Sequence, residues 1–266
     1  MAVRIFHVDA FSEGLFSGNP ACVCLLEREK HGKWMQRVAS EMNLSETAFV
    51  LKAAHGYALR WFTPIKEVRL CGHATLAAAH VLFERGFVKR AKEVVFHTKS
   101  GPIAAVKENA LIEMDFPALP FKDATCPAGL KKALGCGPLY TGKTRFDFIM
   151  ELASEKVVVK LRPDFSLLKK IPARGFMVTA RSKRIGFDFV SRFFAPSIGI
   201  DEDPVTGSAH LSLALFWAER FKKKTFVAYQ ASQRGGVLRI RLEKGRVLLS
   251  GKAATVSEGR LVAGSL

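Results

Sequence analysis

Two stretches in opposite halves of the chain, RLCGHATLAAAHVLFERG at residues 69–86 and DEDPVTGSAHLSLALFWAER at 201–220, limit the fold more than anything else in the sequence. Each opens with a polar cluster and a glycine, then runs on as a helical pattern whose middle is apolar on every side. A helix without a polar face has to be enclosed by the rest of the protein. Its first backbone N–H groups are then left without partners, and the macrodipole places partial positive charge at the same end. An anionic ligand fits such a start. Two of them half a chain apart predict a duplicated unit whose halves face each other across one site, and an enzyme acting on a small acid.

The surrounding pattern is mostly short strands. Alternating apolar and polar residues predict strands near 3–9, 21–26, 47–51, 57–62, 93–97, 102–107 and 110–115, with helices near 33–42 and 72–86. The segment FPALPFKDATCPAG from residue 116, with its three prolines and a glycine, reads as a crossing between domains. Beyond it, strands are predicted near 145–151, 156–160, 175–180, 187–194, 225–230, 236–241 and 246–250, and the second apolar helix near 206–220. The expected fold class is α+β, with a mixed sheet wrapped around one helix in each half. The expected domains are 1–117 together with 254–266, and 118–253.

Composition narrows the function classes. With 266 residues and 48% hydrophobic content the chain has enough material for real cores. Asp9 and Glu13 interrupt what would be the apolar region of a signal peptide, and no apolar run reaches ~18 residues without a charge, so neither export nor a membrane span is expected. Five cysteines, an odd number, fit free thiols in a reducing compartment, the cytoplasm. Cys22 and Cys24 lie in an alternating apolar stretch and read as strand core, so no structural metal is expected. The net charge of +17 is uneven: residues 1–115 hold 15 basic and 12 acidic side chains, and residues 116–266 hold 26 and 12. The basic runs are short, RFKKK at 220–224 follows a helix end, and no nucleic-acid recognition motif accompanies them. The excess reads as a solvated surface that also attracts an anionic substrate, not as a nucleic-acid site.

Three clusters could carry chemistry. In NLSETAFV, Glu46 reads either as an ordinary solvent-facing or turn-capping glutamate or, at the start of a predicted strand among desolvating neighbours, as a carboxyl group that burial raises toward the range useful for general acid and base work. At the start of the first helix, Gly72 allows close backbone approach, its amide can donate to an anion, and His73, which titrates near neutral pH, reads equally as a structural or a catalytic residue. Cys71, at a helix N-terminus, is expected to have a lowered pKa and could act as a base. In DEDPVTGSAH, Asp201 and Glu202 read as helix-capping acids, while Pro204 holds Asp203 extended and able to reach the space faced by the amides of Gly207 and Ser208. His210, one turn further in, reads as a core histidine.

Taken together, VDAFSEGLFSGNPACV, SETAFV, RWFTPIKEVRLCGHATLAAAH, RFFAPSIGIDEDPVTGSAH, the RGG at 234–236 and GKAATV resemble the phenazine-biosynthesis PhzF-like family over nearly the whole chain. The resemblance implies the diaminopimelate epimerase-like fold: two pseudo-symmetric lobes, each a β-barrel-like sheet around a central helix, with the site between them. It implies that Glu46 is the catalytic carboxylate, that Gly72 and His73 form one helix-end motif, and that Asp203, Gly207 and Ser208 form the other. In epimerase relatives two cysteines transfer protons; here the first position resembles Cys71 and the second Asp203, which disfavours two-base thiol racemisation. The best-known member of the family isomerises a dihydro-hydroxyanthranilate by moving a proton within it. The expected activity is therefore a cofactor-independent proton shift in a small carboxylate-bearing substrate, with Glu46 as base and His73 and Asp203 positioning or relaying. Two rivals stand beside it: a catalytically silent binding protein, and an epimerase using Cys71. Related proteins are often dimers, so a homodimer is the assembly the resemblance suggests.

Overall fold

The computed structural model describes residues 2–89 and 93–262. The chain forms two compact units, Met1–Phe116 with Leu249–Leu266, and Pro117–Leu248. The crossing out falls in the proline-rich segment, and the return falls at 248/249, ahead of the 253/254 point suggested by the sequence. No helix among the described residues is long and apolar enough to cross a membrane.

The first unit begins with β1 (Val3–Ala10), β2 (Asn19–Leu26), α1 (Gly32–Met42), β3 (Glu46–Lys52), β4 (Tyr57–Phe62) and the short β5 (Glu67–Val68). It continues with α2 (Gly72–Glu84), β6 (Val94–Thr98), β7 (Gly101–Glu108) and β8 (Leu111–Pro117). The strand alternation sorts side chains to two faces. Cys22, Cys24 and Leu26 of β2, with Phe49 and Phe62, pack against Met35 and Ala39 of α1, so the two thiols are strand core. The other side encloses α2, whose residues from His73 to Phe83 are all buried and which touches β1, β2, β3 and β7. Ala74, Ala77, Ala78 and Ala79 are fully buried, so the strands come close to the helix axis there. Overpacking at such a site costs roughly 1–3 kcal/mol.

The second unit contains β9 (Lys122–Asp123), α3 (Leu130–Leu134), β10 (Tyr140–Lys143), β11 (Asp147–Glu151), α4 (Glu155–Lys160), α5 (Phe165–Leu168) and β12 (Gly175–Arg181). After these come β13 (Phe189–Ala195), β14 (Ile200–Asp203), α6 (Gly207–Phe221), β15 (Thr225–Gln230) and β16 (Gly236–Glu243). β17 (Arg246–Gly251) carries the chain back, and β18 (Ala253–Leu261) pairs with β1 along its whole length, from Val3 opposite Leu261 to Ala10 opposite Ala253. α6 is the buried helix of this unit: Trp217 donates from Nε1 to Thr179 Oγ1 of β12, and Phe189 of β13 stacks on His210 and Trp217. α3, α4 and α5 cover the other face through Leu130, Leu134, Val158 and Leu168.

The duplication lies in the pairing. In the first unit β2 and β3 are parallel, β3 and β4 antiparallel, β4 and β5 antiparallel, β4 and β6 parallel, β6 and β7 antiparallel. β11, β12, β13, β14, β15 and β16 repeat that series in the second unit, direction for direction. In each unit a short strand, β5 or β14, leads into the buried helix. The fold is α+β, as expected.

One predicted strand is a helix. The run KVVVK at 156–160 is rich in β-branched residues, but Ser154 accepts from the Val157 amide at 3.3 Å as an N-cap, Glu155 stands in the first turn and Lys160 in the last. Capping and dipole complementarity outweigh the β-propensity of three valines. The sequence reading also passed over β18, whose AATVSEGRL mixes polar residues with a glycine.

A buried arginine fixes the approach to α6. Arg192 of β13 pairs with Glu202 of β14 through Nε and Nη2, at 2.7 and 2.8 Å, and its Nη1 donates to the Val158 and Leu161 carbonyls. Arg192→Met should remove about 3 kcal/mol of stability by leaving Glu202 without its partner. Urea unfolding of the full-length protein measures it, and a loss below about 1 kcal/mol would show that the clamp is dispensable.

Candidate active site

Glu46 is the first residue of β3, opposite Ala21 of β2, and its side chain is mostly buried. Cys71 is the N-cap of α2 in an extended conformation, and its side chain makes no capping hydrogen bond. No acidic residue stands in the first turn either, so the amides at this helix start are not closed off by a cap. His73 projects from that turn and is 4% exposed. Its Nε2 stands 3.1 Å from Glu46 Oε2, and its Nδ1 lies 3.1 Å from Asn19 Nδ2 and 3.5 Å from Cys71 Sγ. The structure thus brings Glu46, Gly72 and His73 together, with Asn19 and Cys71 around them.

The electrostatics divide the roles. Burial works against a charge on His73, but the Glu46 carboxylate beside Nε2, with Cys71 Sγ as a hydrogen-bond partner at Nδ1, outweighs it and holds the imidazole well above its ordinary pKa. Burial, reinforced by the Glu46 carboxylate, pushes the Cys71 thiol up to about 11. This corrects the sequence expectation of a lowered thiol pKa. The helix end does favour a thiolate, but desolvation and the neighbouring carboxylate disfavour it more strongly. Cys71 is a neutral thiol at physiological pH. Glu46, Cys71 and His73 each offer a donor atom within 4.8 Å of the others, yet Glu46 approaches Nε2 and Cys71 approaches Nδ1.

In the second unit Asp203 ends β14 and is buried. Its Oδ2 accepts from Thr206 Oγ1 at 2.5 Å. Gln230, fully buried at the end of β15, accepts from the Thr206 amide at 2.8 Å and donates to the Asp203 carbonyl at 2.8 Å and to Thr206 Oγ1 at 3.2 Å. Thr206 is the N-cap of α6, again without a side-chain cap bond, and Gly207 and the half-buried Ser208 open the helix. Two expectations change here. Glu202 is held by Arg192 and Asp201 lies with it in β14, upstream of the helix start, so neither caps α6. The topological counterpart of Cys71 is Thr206, since each is the N-cap followed by the helix-opening glycine, and Asp203 acts on that position through its hydrogen bond. His210 is a core residue: Nδ1 donates to the Thr206 carbonyl at 2.8 Å, Nε2 lies 3.2 Å from Ser191 Oγ, and burial pulls its pKa down to about 4.

The sequence reading missed the contacts made by Asn19 and Gln230. Asn19 lies in the GNP of a quoted motif, next to a glycine that marks a backbone constraint. Gln230 ends an ordinary strand and carries no such signal.

Repeated strand pairings around a buried helix, each helix with an open start, define a fold shared with epimerases. A hydroxyproline epimerase from Agrobacterium vitis, solved with trans-4-hydroxy-L-proline bound, matches 98% of this chain and 92% of its own with a TM-score of 0.63 at 11% identity, a likeness of fold alone. The family follows from nearer relatives. The PhzC-PhzF family, described as phenazine biosynthesis-like protein, matches residues 8–259. An uncharacterised isomerase of Halalkalibacterium halodurans is 49% identical over 263 residues, 98% of this chain and 99% of that one. The crystal structure of a phenazine biosynthesis protein of the PhzF family from Enterococcus faecalis covers 99% of this chain and 100% of its own at 41% identity, with a TM-score of 0.94. The chain belongs to the phenazine biosynthesis-like family and is an isomerase or epimerase-type enzyme.

Two measurements follow from the electrostatics. Cys71 should resist iodoacetamide at pH 8 in the native protein while the partly exposed Cys126 is labelled; mass-spectrometric mapping that found rapid labelling of Cys71 would show a thiolate. Because the folded-state pKa of His73 lies above its unfolded value of about 6.5, its pairing contributes stability that is complete below that pH and fades as pH rises through the folded value. The stability gap between the wild type and Glu46→Gln, from urea unfolding, should therefore narrow from pH 6 to pH 9. A gap independent of pH would mean that His73 and Glu46 do not share a charge.

Proposed function

We propose that this isomerase moves a proton within a small carboxylate-bearing substrate by general acid and base catalysis, without a cofactor. The observation that carries the reading is the ion-pair contact between Glu46 and His73 at an uncapped helix start. Glu46 takes the proton from an acidified carbon and returns it to another position on the same face of the substrate. His73, whose Nε2 faces that carboxylate, orients it and balances its charge. The first-turn amides at Gly72 take the substrate carboxylate, where N–H groups and macrodipole both favour an anion. Asp203, Gly207 and Ser208 are assigned the contacts of the second unit, with Asp203 positioning a polar substituent or relaying a proton.

An epimerase that uses Cys71 as its base is a weaker reading, because a thiol titrating at about 11 supplies little thiolate at neutral pH. Its topological partner, Thr206, offers a hydroxyl where a second thiol would be required.

A panel of small amino and hydroxy acids, including dihydro-hydroxyanthranilate, incubated in D2O and followed by proton NMR tests the proposal. Wild-type enzyme should introduce deuterium at a single carbon. Glu46→Gln should lose roughly 100 to 10000-fold in exchange rate while still binding ligand, and Asp203→Asn should lose less. Full exchange by Glu46→Gln would remove Glu46 from the mechanism.

A further inference from the structure

Asn19 has no role in the scheme above, although it occupies the side of His73 away from Glu46. It is fully buried at the first position of β2, and its Nδ2 lies 3.1 Å from His73 Nδ1. The backbone is built to put it there. Gly18, immediately before it, has φ +72°, and a Cβ on Gly18 would stand 2.3 Å from the Ala10 carbonyl oxygen. A glycine is therefore required for the chain to turn into β2 with Asn19 opposite Ala10.

A histidine that changes its charge state beside a proton-carrying carboxylate changes what Nδ1 presents. In the neutral ring with its proton on Nε2, Nδ1 is an acceptor; in the imidazolium it is a donor. A carboxylate partner suits only the second form, and an ammonium only the first. A carboxamide carries a donor and an acceptor on one pivot, and a half-turn exchanges them. We propose that Asn19 is a positioning residue that holds His73 with Nε2 toward Glu46, fixes the neutral ring as the Nε2–H tautomer, and keeps a partner on Nδ1 in either charge state by reversing its amide. Cys71 Sγ, 3.5 Å from the same nitrogen, is a weak donor and a weak acceptor and does not substitute for it. Glu46 from β3 and Cys71 from the helix start are the titratable groups set against the ring within its unit. The inference deepens the proton-transfer reading and rests on it for its purpose, but the tautomer is observable without any substrate.

The test is a long-range 1H–15N correlation on the full-length, 15N-labelled protein across pH, with the His73 signals identified by their loss in His73→Gln. In the wild type above the His73 pKa, Nδ1 should be pyridine-like and Nε2 pyrrole-like. Asn19→Leu should mix the two tautomers, while Asn19→Asp, which keeps the shape and removes the donor, should hold both nitrogens pyrrole-like to higher pH. Unchanged signals from the other histidines show that the fold is intact. With a substrate in hand, Asn19→Leu should lower kcat about 10 to 100-fold, the range typical of removing an orienting second partner, with KM little changed. A wild-type tautomer with the proton on Nδ1, or a tautomer that neither substitution alters, overturns the proposal. If Asn19→Leu does not fold, the wild-type tautomer and Asn19→Asp still decide it. Full exchange by Glu46→Gln together with a responsive tautomer would reject the catalytic reading and leave the role of Asn19 in place.

Discussion

Enclosure of an apolar helix is the constraint on which each unit depends. α2 is buried on every side and α6 over most of its circumference, so strands must cover nearly all of both. That requirement sets the number of strands per unit, the small residues along α2 and the order of pairings found twice in the chain. It also decides where polar chemistry can occur. A helix sealed along its length is open only at its ends, and the side chains at the N-caps, Cys71 and Thr206, leave those ends uncapped. The proposed chemistry falls at these helix starts, which burial leaves unfinished.

The chemistry at the first of these ends comes from competition between two effects on the same few atoms. The helix start favours anions, and taken alone it would lower the pKa of Cys71. Desolvation opposes charge on any group there, and the Glu46 carboxylate opposes a second negative charge in particular. The outcome is an imidazole that favours its charged form and a thiol pushed up to about 11. The second unit handles the equivalent position without ionisable sulfur: a hydroxyl at Thr206 is tied to Asp203 and Gln230.

Much of this was legible in the sequence. Alternation located the strands, the apolar helices were plain, and the clusters holding Glu46, Gly72, His73, Asp203, Gly207 and Ser208 stood out as polar groups in apolar surroundings. What was not legible depended on distance in space. The pKa of Cys71 is raised by burial and, beyond that, by a carboxylate 25 positions earlier in the chain, brought next to it by the pairing of β2 with β3 and the packing of α2 on both. Gln230 reads as the end of a strand until β15 places it beside the N-cap of α6. The misread strand at 156–160 is the opposite case, since its deciding signal, Ser154 followed by Glu155, lay directly beside it and was outweighed by three valines.

The pairing of β18 with β1 has a consequence for how the protein is made. β1 leaves the ribosome ahead of the other strands described here, and its partner along Val3–Ala10, β18, follows only after the whole second unit. The second unit is continuous from Pro117 to Leu248 and can complete its core while the first still lacks a wall. During synthesis β1 must therefore wait with that edge exposed, at risk of pairing with strands of other chains until β18 arrives. A chain cut short just before β18 would keep Glu46, His73 and the whole second unit, yet lose the strand that closes the sheet around α2.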